Sequence, residues 1–146
     1  YGYDSGAAAW VPIASMRAWQ SFTPTWTGSV SNPVIGNGSL SGFYLQVGKT
    51  VRFRLIVTMG STTTYGSGAW GLTLPIAPSD SQAVACVYVD SSASTRCAGT
   101  AWLTNGSGIF RMLPPTDAAS AGISPTVPFT WANGDQLIIS GTYETP

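Results

Sequence analysis

Residues 36–75 read GNGSLSGFYLQVGKTVRFRLIVTMGSTTTYGSGAWGLTLP, and this stretch decides the fold. It divides into strand, tight turn, strand, hydroxyl-rich loop and strand. Val51, Phe53, Leu55 and Val57 recur at period two with Arg52 and Arg54 between them, the alternation of a strand that buries one face. Trp70, Leu72 and Leu74 repeat the alternation before Pro75 stops it. Pairing residues 40–47 with 51–58 has two solutions. A two-residue Gly48-Lys49 turn is favoured by turn chemistry, but it sets Phe43, Leu45 and Val47 beside Arg52 and Arg54. A three-residue loop, Gly48 to Thr50, gathers all seven apolar side chains on one face, because a slip of one residue flips every side chain. The longer loop gives the cleaner core and is the expected register. The shorter one works if both faces of the sheet are covered.

Outward from this stretch the pattern stays the same. Residues 83–89 and 98–104 form a hairpin. Asn105-Gly106 carries the type I′ signal and joins it to 109–112. Asn133-Gly134, between Phe129-Thr130-Trp131 and residues 136–143, reads as another hairpin. Pro24 confines residues 19–27 to a sheet edge or bulge. Asn32-Pro33 and Asn37-Gly38 mark turns, and residues 114–128 read as loop. No segment has a helical period with caps. Short strands at this density of turns specify an all-β fold: an antiparallel β-sandwich, jelly-roll-like, of about eight strands. Residues 1–17 read as an N-terminal arm and 18–146 as one domain, a length at which about 68–70% of the unfolded surface is buried. Residue 1 is Tyr rather than Met, so the chain is expected to be a fragment or processed product, with any anchor in the missing N-terminal part.

Only 8% of the residues are charged, and the net charge is zero. Such a surface offers no field for phosphates, which argues against nucleic acid, and no polybasic patch for an anionic membrane. No apolar run reaches the roughly 18 residues of a membrane span. The spacing of Cys86 and Cys97 suits a hairpin and admits a cross-strand disulfide. The alternative is two small buried hydrophobes in a reducing compartment. With no His and no C-x-x-C, neither a metal nor another cofactor is expected.

Catalysis finds little support. The acids are Asp4, Asp80, Asp90, Asp117, Asp135 and Glu144; none lies in a motif, and Asp80, Asp90, Asp117 and Asp135 fall in turns, where a carboxylate bonds to backbone N–H groups. Binding is better supplied. Aromatic residues make up 12% of the chain, and their rings stack on the C–H faces of sugars. Tyr65, in a loop with no evident core role, leads the candidate carbohydrate contacts, followed by Trp102, Arg111 and Asp117. Trp26, Trp70 and Trp131 are expected in the core or at a subunit interface. Arg52 and Arg54 are read as pairing with carboxylates across a subunit boundary or as guarding a sheet face.

Three blocks carry a family resemblance: WQSFTPTWT (19–27), residues 32–75, and PFTWANGDQLIISGTYET (128–145). They resemble a C-terminal module of minor tail proteins and tail fibres from phages and prophages of Gram-positive, especially actinobacterial, hosts. NGSLSGFYLQVGKTV followed by GSTTTYGSG is the most specific part, and residues 79–126 match less well. The resemblance implies a distal tail component of the virion and a homotrimer, joined through its N-terminal arm to the rest of the fibre. It also implies adhesion to a host cell-surface carbohydrate. A purely structural, fibre-terminating trimer is the alternative, and a wall- or capsule-degrading hydrolase the third reading.

Overall fold

The computed structural model describes residues 18–115 and 122–146. The arm, 1–17, lies outside them. Among the described residues there is no helix. The nine strands are β1 (Gln20–Phe22), β2 (Trp26–Gly28), β3 (Ser39–Val47), β4 (Thr50–Thr58), β5 (Trp70–Thr73), β6 (Gln82–Asp90), β7 (Thr95–Leu103), β8 (Ile109–Leu113) and β9 (Gln136–Glu144). All pair antiparallel in one sheet, in the order β1-β3-β4-β9-β6-β7-β8-β5-β2.

The sheet curls on itself, so the layers of the sandwich are two halves of one hydrogen-bonded surface. Two observations require this. β1 and β2 are the opposite edges, yet only Thr23, Pro24 and Thr25 separate them, a step that spans at most about 14 Å. Phe53 on β4 and Phe110 on β8 are four places apart in the sheet, about 19 Å if it were flat, yet their ring centres are 6.3 Å apart. Pro24 sits in the edge link, where its missing N–H costs no ladder bond.

The concave face is the core. Val51, Phe53, Leu55 and Val57 are buried and Arg52 and Arg54 exposed, as the alternation of β4 predicts. Phe53 also meets Tyr143 edge-on at 5.4 Å. Trp70 is the hub at the other end: Trp26 meets it edge-on at 4.8 Å and Trp131 at 5.3 Å. These three tryptophans are all buried, as expected.

Three local expectations are corrected. Val47 pairs with Thr50, so the β3–β4 connection is the two-residue Gly48-Lys49 turn, not the three-residue loop. Gly48 takes φ +58° and so meets the turn's need for a left-handed residue. Phe43, Leu45 and Val47 therefore share the outer face with Arg52 and Arg54, and Gly42 and Tyr44 turn inward. A side chain at Gly42 would collide with the ring of Phe22, which docks β1 there. Second, Asn105-Gly106 turns the chain, but only Gly106 has positive φ, which is not type I′. Third, Phe129-Thr130-Trp131 forms no strand. Trp131 plugs the core from a loop, and Asn133-Gly134 turns the chain into β9.

The threonine-rich segment is structural. Val34 bridges Thr64 and Ser31 bridges Ser67, which ties the loop before β3 to the loop before β5. The Asn37 side-chain oxygen accepts from Thr62 N–H and hydroxyl, both at 3.0 Å. The Thr63 hydroxyl donates to Ile35 O at 2.6 Å and accepts from Gly60 N at 2.8 Å. These hydroxyls replace the missing charges by satisfying backbone groups.

Candidate functional site

Neighbouring strands place alternate residues on the outer, convex face. Trp102 on β7 and Arg111 on β8 are register partners there. Both are exposed, Trp102 to 46%. Their lateral partners are small, Ala83 beside Trp102 and Gly71 beside Arg111. Gly71 must be small, because a Cβ there would meet the Ile109 methyl at 2.8 Å. An indole and a guanidinium thus rise together above a low floor. Of the four sugar contacts expected from the sequence, these two are brought together.

The other two are not added to them. The ring of Tyr65 stacks at 21° on Trp70, centres 6.3 Å apart, and packs against the core. Its carbonyl accepts from Trp70 Nε1 at 3.0 Å. The premise that this loop tyrosine has no core role is corrected. Burial raises its phenol above its ordinary value, with the Asp135 charge adding to the effect. Asp117 lies outside the described residues.

A second feature of the outer surface, on the wall formed by β4 and β9, is not legible as a site in the sequence. Trp19, Arg52, Arg54, Ser140 and Thr142 line an open hollow of about 380 Å³, with Phe53 and Gly141 beneath. The Arg54 guanidinium lies over Phe43 at 4.9 Å and over Trp19 at 5.6 Å; Arg52 lies 6.0 Å from Trp19. Trp19 is 42% exposed. Among the described residues no carboxylate lines this hollow. Only the two-residue register brings Phe43 beside Arg54. The turn preference of Gly48-Lys49 is the signal that could have revealed it.

Between the two clusters the outer face is low. Ser140 on β9 pairs with Arg54 on one side and Ala85 on the other, and Thr142 pairs with Arg52. Both arginine–aromatic clusters therefore lie on the convex side of the curled sheet, but on opposite walls, because β4 and β8 face one another across the core.

Two of the acids are occupied. Asp135 is fully buried and accepts from Ser91 N (2.9 Å), Ser91 hydroxyl (3.0 Å) and Ala132 N (2.7 Å). Asp90 accepts from Ala93 N and the Ser92 hydroxyl, and these bonds, the first above all, hold its carboxyl below the usual range. Both play the turn role expected of them. Cys86 and Cys97 are free. Cys86 faces Gly99, and Cys97 faces Tyr88, so the thiols are offset by two residues instead of directly opposed. The Tyr88 ring covers Gly99, and its hydroxyl donates to Leu113 O at 2.9 Å while accepting a hydrogen bond from the Cys86 thiol at 2.8 Å. Burial pushes the Cys86 thiol up to about 11. Among the described residues no group of His, Cys, Asp or Glu could hold a metal ion.

This arrangement can bind through rings and fixed N–H donors. Among known proteins, the chain is similar to a Mu-like prophage FluMu defective tail fiber protein of Haemophilus influenzae, with 32% identity over 123 residues, covering 77% of this chain. The chain spans 18% of that protein's length. The similarity supports a phage tail-fibre module; it gives no support to a Gram-positive host. No family model and no solved structure matches the chain.

Proposed function

We propose that the chain is a tail-fibre module that holds a host cell-surface carbohydrate on its outer sheet face, as a homotrimer at the distal end of the virion tail. The observation that carries this reading is the register pair Trp102 and Arg111, both exposed on a rigid strand pair. An exposed indole offers a flat apolar surface to a pyranose ring. The neighbouring guanidinium offers several N–H donors to its hydroxyls. Strands hold the two more firmly than loops would. Three copies per tip raise a weak single-site affinity by about 10²–10⁴ through avidity. No catalytic step is assigned, and Asp90 and Asp135 are spent on turns.

Glycan-array binding by the 146-residue chain, together with light scattering for its mass, tests the reading. A trimer whose array signal falls in Trp102→Ala and Arg111→Gln, with mass unchanged, is the expected result. A trimer that binds no glycan leaves the structural, fibre-terminating role in its place.

A further inference from the structure

We infer that the hollow formed by Trp19, Arg52, Arg54, Ser140 and Thr142 is an anion subsite, so that the carbohydrate is acidic and carries carboxylate or phosphate groups. This rests on the carbohydrate reading and narrows it. Arg52 and Arg54 project from the same face of β4 two residues apart, about 7 Å along the strand. Two guanidiniums so placed repel one another unless an anion lies between them. Here the guanidinium carbons lie over the rings of Trp19 and Phe43. Among the described residues no carboxylate lines the hollow to take their N–H donors, which can make paired bonds to carboxylate or phosphate. The hydroxyls of Ser140 and Thr142 complete the wall.

β4 and β8 face one another across the core, where Phe53 meets Phe110, so this hollow opens on the opposite wall from Trp102 and Arg111 and takes the acidic groups of the carbohydrate independently of that pair.

The test is a calorimetric titration of the 146-residue chain at low salt with three probes of matched length. These are an oligogalacturonate, a glycerol-phosphate oligomer and a neutral maltooligosaccharide. One or both anionic probes should bind about ten- to a hundredfold more tightly than the neutral one, and added salt should erase the difference. Which of the two binds identifies the anion. The Arg52→Gln/Arg54→Gln variant should lose the preference while retaining its circular dichroism and its mass. Equal affinity for neutral and anionic probes overturns the inference but leaves carbohydrate binding intact. So does an unchanged preference in the double variant. A double variant that changes mass shows instead that the face lies between copies. If no probe binds and the array is also blank, the carbohydrate reading itself falls.

Discussion

Phe43 on β3 and Arg54 on β4 are register partners, and the guanidinium carbon of Arg54 lies 4.9 Å from the centre of the Phe43 ring. The contact marks the register that the Gly48-Lys49 turn imposes. It also shows how an outer face keeps two arginines ordered beside apolar rings. Removing the ring by Phe43→Ala should cost about 0.5–1 kcal/mol, the range for an exposed cation–π contact, read as a lower urea midpoint with unchanged m-value.

Gly99 should tolerate no side chain. An added Cβ would lie 2.5 Å from Leu113 O and from the Tyr88 ring, which its own hydrogen bond pins in place. Gly99→Ala is expected to destabilise by about 1–3 kcal/mol, as overpacking does. Thermal unfolding measures this, and an unchanged midpoint would show that Tyr88 can move aside.

Asp135 ties the β6–β7 turn to the turn that delivers β9. Asp135→Ala removes the acceptor shared by the N–H groups of Ser91 and Ala132. A loss of about 1.5–3 kcal/mol is expected, the range for hydrogen bonds to a charged group, with Asp135→Asn recovering part of it in chemical denaturation.

Asn37→Ala should loosen the loop clamp, since one side chain serves Thr62 N and Thr62 Oγ1 and donates to Ser61 Oγ at 2.9 Å. Faster amide hydrogen exchange at Thr62 and Thr64 is expected, with β4 and β9 unaffected, because local opening can occur without global unfolding.

The fold should weaken in alkali. Burial pushes the Cys86 thiol from 9.0 to about 11 and the Tyr143 phenol from 10.0 to about 12; Tyr88 is also raised, by burial and its Cys86 contact. These groups stay neutral in the fold longer than in the unfolded chain. The unfolded chain therefore holds fewer protons above pH 9, and stability falls as pH rises. The contribution is whole below about pH 9 and is lost toward pH 11–12, by up to about 1.4 kcal/mol per pH unit for each group. Urea midpoints measured from pH 7 to 11 should fall only at the upper end, and Cys86→Ala should reduce the slope between pH 9 and 11.

The period-two alternation of β4 and the glycine and proline breaks were enough to establish an all-β antiparallel chain and its buried face. Trp26 and Trp70 were legible as core for the same reason, since each lies on a strand in a chain poor in charge; Trp131 was also expected there, but it reaches the core from a loop. Part of the candidate site was legible too, because Trp102 and Arg111 flank one turn and local pairing brings them together. Tyr65 misled because a loop assignment says nothing about what lies beneath the loop. Trp70 lies beneath it, brought there by the strand that follows.

The sequence by itself determined which residues share a face along each strand, since that depends only on the alternation of side chains about an extended backbone. Only the tertiary structure decided which strands are neighbours, where the sheet closes, and which face of β3 turns outward. Those depend on register and curl, and both are set by contacts between residues far apart in the chain. The hollow joining Trp19, Arg54 and Ser140 is a product of that register across neighbouring strands, with no signature in any single segment.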